Sequence, residues 1–166
     1  MKAVLISIRP KWCEKIASGE KKIEVRKTRP KLQTPFKCYI YCTLPRYPHE
    51  DFIETDYPKP QFYGGGKVIG EFTCNRVTNL FSNSRFWLDE DDILHTCLSA
   101  AEMRKYANGA NGLYGWHISN LKIYDKPREL ASLTGLRATR FGAAPYDIKR
   151  APQSWCYVEE TDNDKT

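Results

Sequence analysis

The six cysteines of this 166-residue chain include no C-x-x-C pair. Cys13, Cys38, Cys42, Cys74, Cys97 and Cys156 are spread along it, and so are the three histidines, His49, His95 and His117. A zinc site needs closer thiol pairs with histidines at ligand spacing, so no metal and no cofactor is expected. Cys38 and Cys42 in "CYIYC" and Cys74 in "GEFTCNRV" read as small buried strand residues. Long apolar runs are also missing. "MKAVLISIRPKW" is too short to span a bilayer and has no small-residue cleavage site. The expectation is no membrane segment and a reducing, cytoplasmic setting. Internal repeats and interdomain linkers are absent as well. One domain over residues 1–160, followed by a polar tail at 161–166, suits this length. Such a chain can bury a core without disulfides.

Twenty-six Lys and Arg against twenty Asp and Glu give a net charge of +6. This favours an anionic partner: nucleic acid, a nucleotide or an acidic protein patch. Plain solubility would be served as well.

"AVLISI" at 3–8 reads as a buried strand. "RPKWCEKIASG" follows as a helix, with Pro10 in its first turn and Gly19 at its left-handed end. Trp12, Ile16 and Cys13 mark its apolar stripe. "KKIEVRK" and "FKCYIYCT" are strands. Residues 44–66 carry four prolines and three consecutive glycines without a sustained period. A loop this long inside a compact domain is usually functional or mobile. Its Tyr47, Phe52, Tyr57, Phe62 and Tyr63 offer anchors or a stacking surface. "KVIGEFTCNRVTNLF" returns to strand, with Gly70 at a bulge or a close backbone approach. "SAAEMRKYANG" is a helix with a Ser99/Glu102 capping box and an end at Asn108 or Gly109. "NGLYGWHISNLKIYD" and "APQSWCYVEE" complete the strands. The order predicts an α+β domain. Its strands are too closely spaced for a doubly wound sheet, and a small mixed β-barrel with two or three flanking helices fits.

The charge pattern of one strand carries the functional question. If Ile23 and Val25 face the core, then Lys22, Glu24 and Arg26 point the other way. Lys21 sits at the turn before them, and Glu71 lies on another strand. A lysine beside carboxylates can hold a carbonyl or oxyanion. A glutamate can act as general base on water. An arginine can bind phosphate or orient a glutamate. A solvated face with a surface ion pair is the plain alternative.

Other features are weaker. "YGGGK" at 63–67 lacks Walker spacing and precedes a strand, so it reads as a flexible turn. Asp89, Glu90, Asp91 and Asp92 lack the glycine and terminal glutamate of a calcium loop, and read as an acidic helix N-terminus. Trp116 is expected in the core or a cleft wall. His117 is a proton carrier or a hydrogen-bonded structural residue. Arg137, Arg140, Lys149 and Arg150, interleaved with Phe141, Tyr146 and Trp155, suit phosphates and unpaired bases. A surface loop anchored by its aromatics would look the same.

"SIRPKWCEKIASGEKKIEVRK", with its G-x-K-x-I-E-x-R run from Gly19 to Arg26, resembles the signature of ASCH domains in the PUA-like superfamily. "VIGEF" and "YGWHIS" extend the resemblance over much of residues 3–124. It implies a PUA-like β-barrel with a cleft beside the first helix, and RNA or a nucleobase-like ligand. One bacterial branch of the family hydrolyses acetylcytidine with a lysine after the glycine turn, a threonine three residues later and a glutamate on a later strand. By position these correspond to Lys21, Glu24 and Glu71, so the threonine hydroxyl is replaced by a charge. Other members resemble ribonucleases or RNA-binding modules. The resemblance therefore implies an RNA or modified-nucleoside ligand in a cleft lined by Lys21, Glu24, Arg26 and Glu71, with Lys22, Trp116 and His117 beside it. It also implies hydrolysis as the chemistry, if there is any. A protein-interaction module of phage or mobile-element type, acting through residues 44–66, is the alternative.

Overall fold

A computed structural model of the chain describes residues 1–44, 65–82, 85–86 and 89–161. Residues 45–64 of the expected excursion, with Tyr47, Phe52, Tyr57, Phe62 and Tyr63, and the tail beyond Thr161 lie outside the described residues. The protein is α+β and mostly strand. The strands are β1 (Lys2–Ile8), β2 (Ile23–Arg26), β3 (Phe36–Cys42), β4 (Lys67–Ser82), β5 (Arg85–Phe86), β6 (Gly112–Arg128), β7 (Thr134–Thr139), β8 (Gly142–Asp147) and β9 (Trp155–Glu159). Their hydrogen-bonded order is β2-β6-β4-β3-β1-β9-β7-β8, with β5 on β4, and among the described residues it ends in β2 and β8. It is thus an open list, and closure into the expected barrel is not part of it. No described helix is long and apolar enough to cross a membrane.

The residues cluster into two compact units. The first comprises Met1–Glu14, Lys37–Phe72 and Leu121–Thr166. Its centre is β1 (Lys2–Ile8), buried on both faces from Ala3 onward, as a continuous apolar run requires. β1 runs parallel to β3 (Phe36–Cys42), with Val4 opposite Cys38 and Ile8 opposite Cys42. It runs antiparallel to β9 (Trp155–Glu159), with Leu5 opposite Cys156. Ala3, Leu5, Tyr39, Val68, Tyr124, Leu133, Ile148 and Val158 form the core. Gly70, on β4 (Lys67–Ser82), meets the expectation of a close approach: a β-carbon there would lie 2.5 Å from the Lys122 carbonyl oxygen.

β7 (Thr134–Thr139) and β8 (Gly142–Asp147) form a hairpin turned by Arg140 and Phe141. The sequence reading left this stretch as a basic loop region. Small residues hide its period, and Pro145 argues against a strand. As β8 stands at the end of the strand order, Pro145 takes no central ladder position. Tyr146 lies over the bare face of Gly135, where a β-carbon would fall 2.3 Å from the ring; the aromatic covers the surface that the glycine leaves open.

The second unit comprises Lys15–Phe36 and Thr73–Asn120. β2 (Ile23–Arg26) pairs antiparallel with β6 (Gly112–Arg128): Glu24 faces Trp116, and Arg26 faces Tyr114. The two-residue β5 (Arg85–Phe86) pairs with β4. The helix α1 (Pro10–Ala17) starts on the proline, whose missing N–H costs nothing there. Pro10, Cys13 and Ile16 are its buried residues, and Gly19 turns the chain with φ +83°. At α2 (Glu90–Thr96) the Asp89 carboxylate accepts from the Asp92 amide at 2.8 Å, and three acids fill the first turn. The acidic run is thus a cap that suits the helix dipole. α3 (Ala100–Ala107) has the expected Ser99/Glu102 capping box. Val25, Leu80, Met103, Ala107 and Leu113 form this unit's core.

Candidate functional site

The alternation in β2 does not separate a dry face from a wet one. All four residues of the strand are buried. Lys21, Glu24 and Arg26 are exposed by only 2%, 5% and 7%. Long charged side chains at this depth need partners, and they find one another. Arg26 donates from Nε and Nη2 to Glu24 Oε1, at 3.0 and 2.8 Å. Lys21 Nζ lies 3.5 Å from Glu24 Oε2. It also donates to the Thr96 carbonyl at 2.6 Å, on the last residue of α2, where the helix dipole favours a cation. The cluster holds two cations and one carboxylate. Glu24 Oε1 is fully engaged, whereas buried Oε2 accepts no hydrogen bond among the described residues.

Aromatic rings surround this group. Trp116, paired across from Glu24, is fully buried and meets Phe36 edge-on at 5.9 Å. Tyr106, near the end of α3, has its hydroxyl pKa raised by burial; Arg26 works against that shift and Glu24 adds to it. Its phenol therefore shares the field of the Arg26–Glu24 pair. Lys27 lies over the Tyr106 ring at 5.2 Å. Tyr106, Phe36 and the Thr96 carbonyl were missed by the sequence reading. They reach the site through tertiary packing, which no local spacing announces.

The remaining candidates are placed as follows. Lys22 is exposed, and its backbone is fixed by the His95 carbonyl and the Ile118 amide, both at 2.9 Å. His117 bonds Thr78 through Nε2 at 3.0 Å and Arg76 through Nδ1 at 3.3 Å. Burial pulls its pKa below the ordinary value, and Arg76 reinforces the shift. Glu71 belongs to the first unit and has its partners there. It accepts from the Tyr124 hydroxyl and pairs with Lys37 at 3.5 Å. Lys37 also reaches Glu160 at 3.7 Å, and Arg128 stacks on the Tyr124 ring at 4.2 Å. Burial, then the Glu71 bond, push the Tyr124 phenol pKa far up. Arg137, Arg140, Lys149 and Arg150 are all exposed on the first unit.

No protein-family model matches the sequence, and no curated protein matches it. Solved structures do. The chain is similar to the crystal structure of an ASCH protein from Zymomonas mobilis, with 18% identity and a TM-score of 0.55, over 95% of this chain and 88% of the other. A Tyr-to-Phe mutant of that protein matches with 17% identity and a TM-score of 0.56, over 96% of this chain and 92% of the other. The fold is that of an ASCH domain. The resemblance read from the glycine-turn motif is thereby met at the level of fold. The motif's Lys21, Glu24 and Arg26 form the buried centre of the second unit.

Proposed function

We propose that this ASCH domain recognises RNA or a modified nucleoside at the Lys21–Glu24–Arg26 cluster. The observation that carries the reading is Glu24 Oε2, a buried carboxylate oxygen that faces the Lys21 ammonium at 3.5 Å but accepts no hydrogen bond among the described residues. Such an acceptor calls for an N–H donor, and the exocyclic amino or amide group of a base supplies one. Lys21 Nζ, close by, donates to the neighbouring carbonyl. Arg26 braces Glu24 through two bonds to Oε1. Trp116, paired across from Glu24, walls the site, while His117, the next residue of β6, faces the other way. Exposed Lys22, Arg137, Arg140, Lys149 and Arg150 take phosphates. The net charge of +6 suits that partner.

Hydrolysis is the narrower form of this reading: Lys21 would steady an oxyanion while Glu24 activated water. The test mixes the protein with modified nucleosides, acetylcytidine among them, and short single-stranded RNA. Binding is followed by calorimetry and products by mass spectrometry. Lys21→Met should weaken or abolish nucleoside binding and any turnover. Product lost in that variant would add turnover to recognition. Absence of both binding and product in the wild type would sink the reading and favour a protein-interaction role for residues 44–66.

A further inference from the structure

Phe141 is 88% exposed at the tip of the β7–β8 hairpin. The turn has no need of a phenylalanine there. Gly142 takes the positive φ, +109°. The Thr139 hydroxyl locks the tip, donating to the Gly142 carbonyl at 2.7 Å and accepting from the Phe141 amide at 3.2 Å. A polar residue would close this hairpin equally well. The ring is therefore displayed on a fixed backbone, which lowers the ordering cost of a contact.

Its surroundings have a definite character. The Arg140 guanidinium lies 5.0 Å from the ring centroid. Arg137 is exposed on the adjoining strand, and Lys149 and Arg150 on the segment that follows β8. Against these four cations, residues 134–150 hold one acid, Asp147. It pairs with Thr134, at the end of the hairpin away from the tip. Between tip and base the strands carry Ala138, Ala143 and Ala144, which present no bulk beside the ring.

We propose that this hairpin is a wedge for unpaired RNA: Phe141 stacks on a base while Arg140 and Arg137 hold the flanking phosphates. An aromatic face accepts any base, and adjacent cations neutralise the backbone. One ring is too small an anchor for a bilayer, where even a single acyl chain binds marginally. The proposal rests on the nucleic-acid reading above, but not on the Lys21 cluster.

The test uses the full chain and a short single-stranded RNA carrying one 2-aminopurine, the same strand as a duplex, and anionic lipid vesicles. The wild type should bind the single strand and quench the fluorophore. Phe141→Ala should lose about tenfold or more in affinity, together with the quench, while keeping the salt slope. Arg140→Gln should flatten the slope of log K against log salt by about 0.7. Wild type that binds RNA while Phe141→Ala binds and quenches equally would overturn the wedge alone. Preference for the duplex or the vesicles would also overturn it. Wild type that binds no RNA would overturn the wedge and the RNA branch of the broader reading, leaving nucleoside binding at Lys21 as a separate result.

Discussion

Lys21 Nζ donates a 2.6 Å hydrogen bond to the carbonyl of Thr96, and the same ammonium faces Glu24 at 3.5 Å. One buried side chain thus ties the entry of β2 to the end of α2 and faces the carboxylate beside it, which Arg26 also pairs.

That arrangement ranks its own mutants. Glu24→Gln leaves two buried cations facing each other, and should destabilise the fold by about 3–5 kcal/mol. Lys21→Met keeps the Glu24–Arg26 pair and loses chiefly the bond to Thr96. Its cost should be about 1–3 kcal/mol. Urea unfolding of the two variants measures the difference, and equal costs would mean that Glu24 is not the hub.

His117 should make the protein weaker in mild acid. Burial, helped by Arg76 and His95 and opposed by Asp92, lowers its pKa from 6.5. Above that value both folded and unfolded imidazoles are neutral, and the contribution is fully present. As pH falls below it, the unfolded chain takes up the proton first and stability is lost. His117→Gln, which can still reach Thr78, should flatten unfolding midpoints between about pH 7 and about pH 5.

The Glu71 cluster predicts an alkaline counterpart. For Lys37, burial works against the charge, but Glu71, Tyr39 and Glu160 outweigh it and raise the pKa from 10.5. Tyr124 is raised from 10.0 by burial and by its bond to Glu71. In the unfolded chain both groups lose their protons at lower pH, so stability present below about pH 10 is lost above it. Tyr124→Phe should shrink the alkaline loss seen by circular dichroism.

Two glycines should resist alanine. At Gly70 the new methyl would meet the Lys122 carbonyl oxygen at 2.5 Å, and backbone cannot step aside. At Gly115 it would meet Leu80 and Ile23 side-chain carbons at 2.7 and 2.8 Å. Each substitution should cost about 1–3 kcal/mol. Gly19, with open space around it, should show only the strain of its positive φ. Thermal unfolding separates the two behaviours.

Local chemistry made much of the fold legible. Pro10, Gly19, the Ser99 capping box and the apolar run of β1 each act within a few residues, and the elements follow them. Where partners come from afar, the sequence was less telling. Alternation shows that Glu24 and Arg26 share a side, but not whether solvent, a pocket or other side chains cover it. The neighbour across the ladder here is Trp116, which is distant in the chain. The β7–β8 hairpin was hidden for another reason. Its strands are rich in alanine, threonine and glycine, and it is their pairing with each other, and of β7 with β9, that makes them strands.

The most direct measurement is a calorimetric titration of the wild type and Lys21→Met with a panel of modified nucleosides, the folded state of each confirmed by circular dichroism. The account predicts that a nucleoside with an amino or amide N–H beside a carbonyl binds the wild type and binds folded Lys21→Met about tenfold or more weaker. Equal binding to the two proteins, or no nucleoside bound by either, would contradict it.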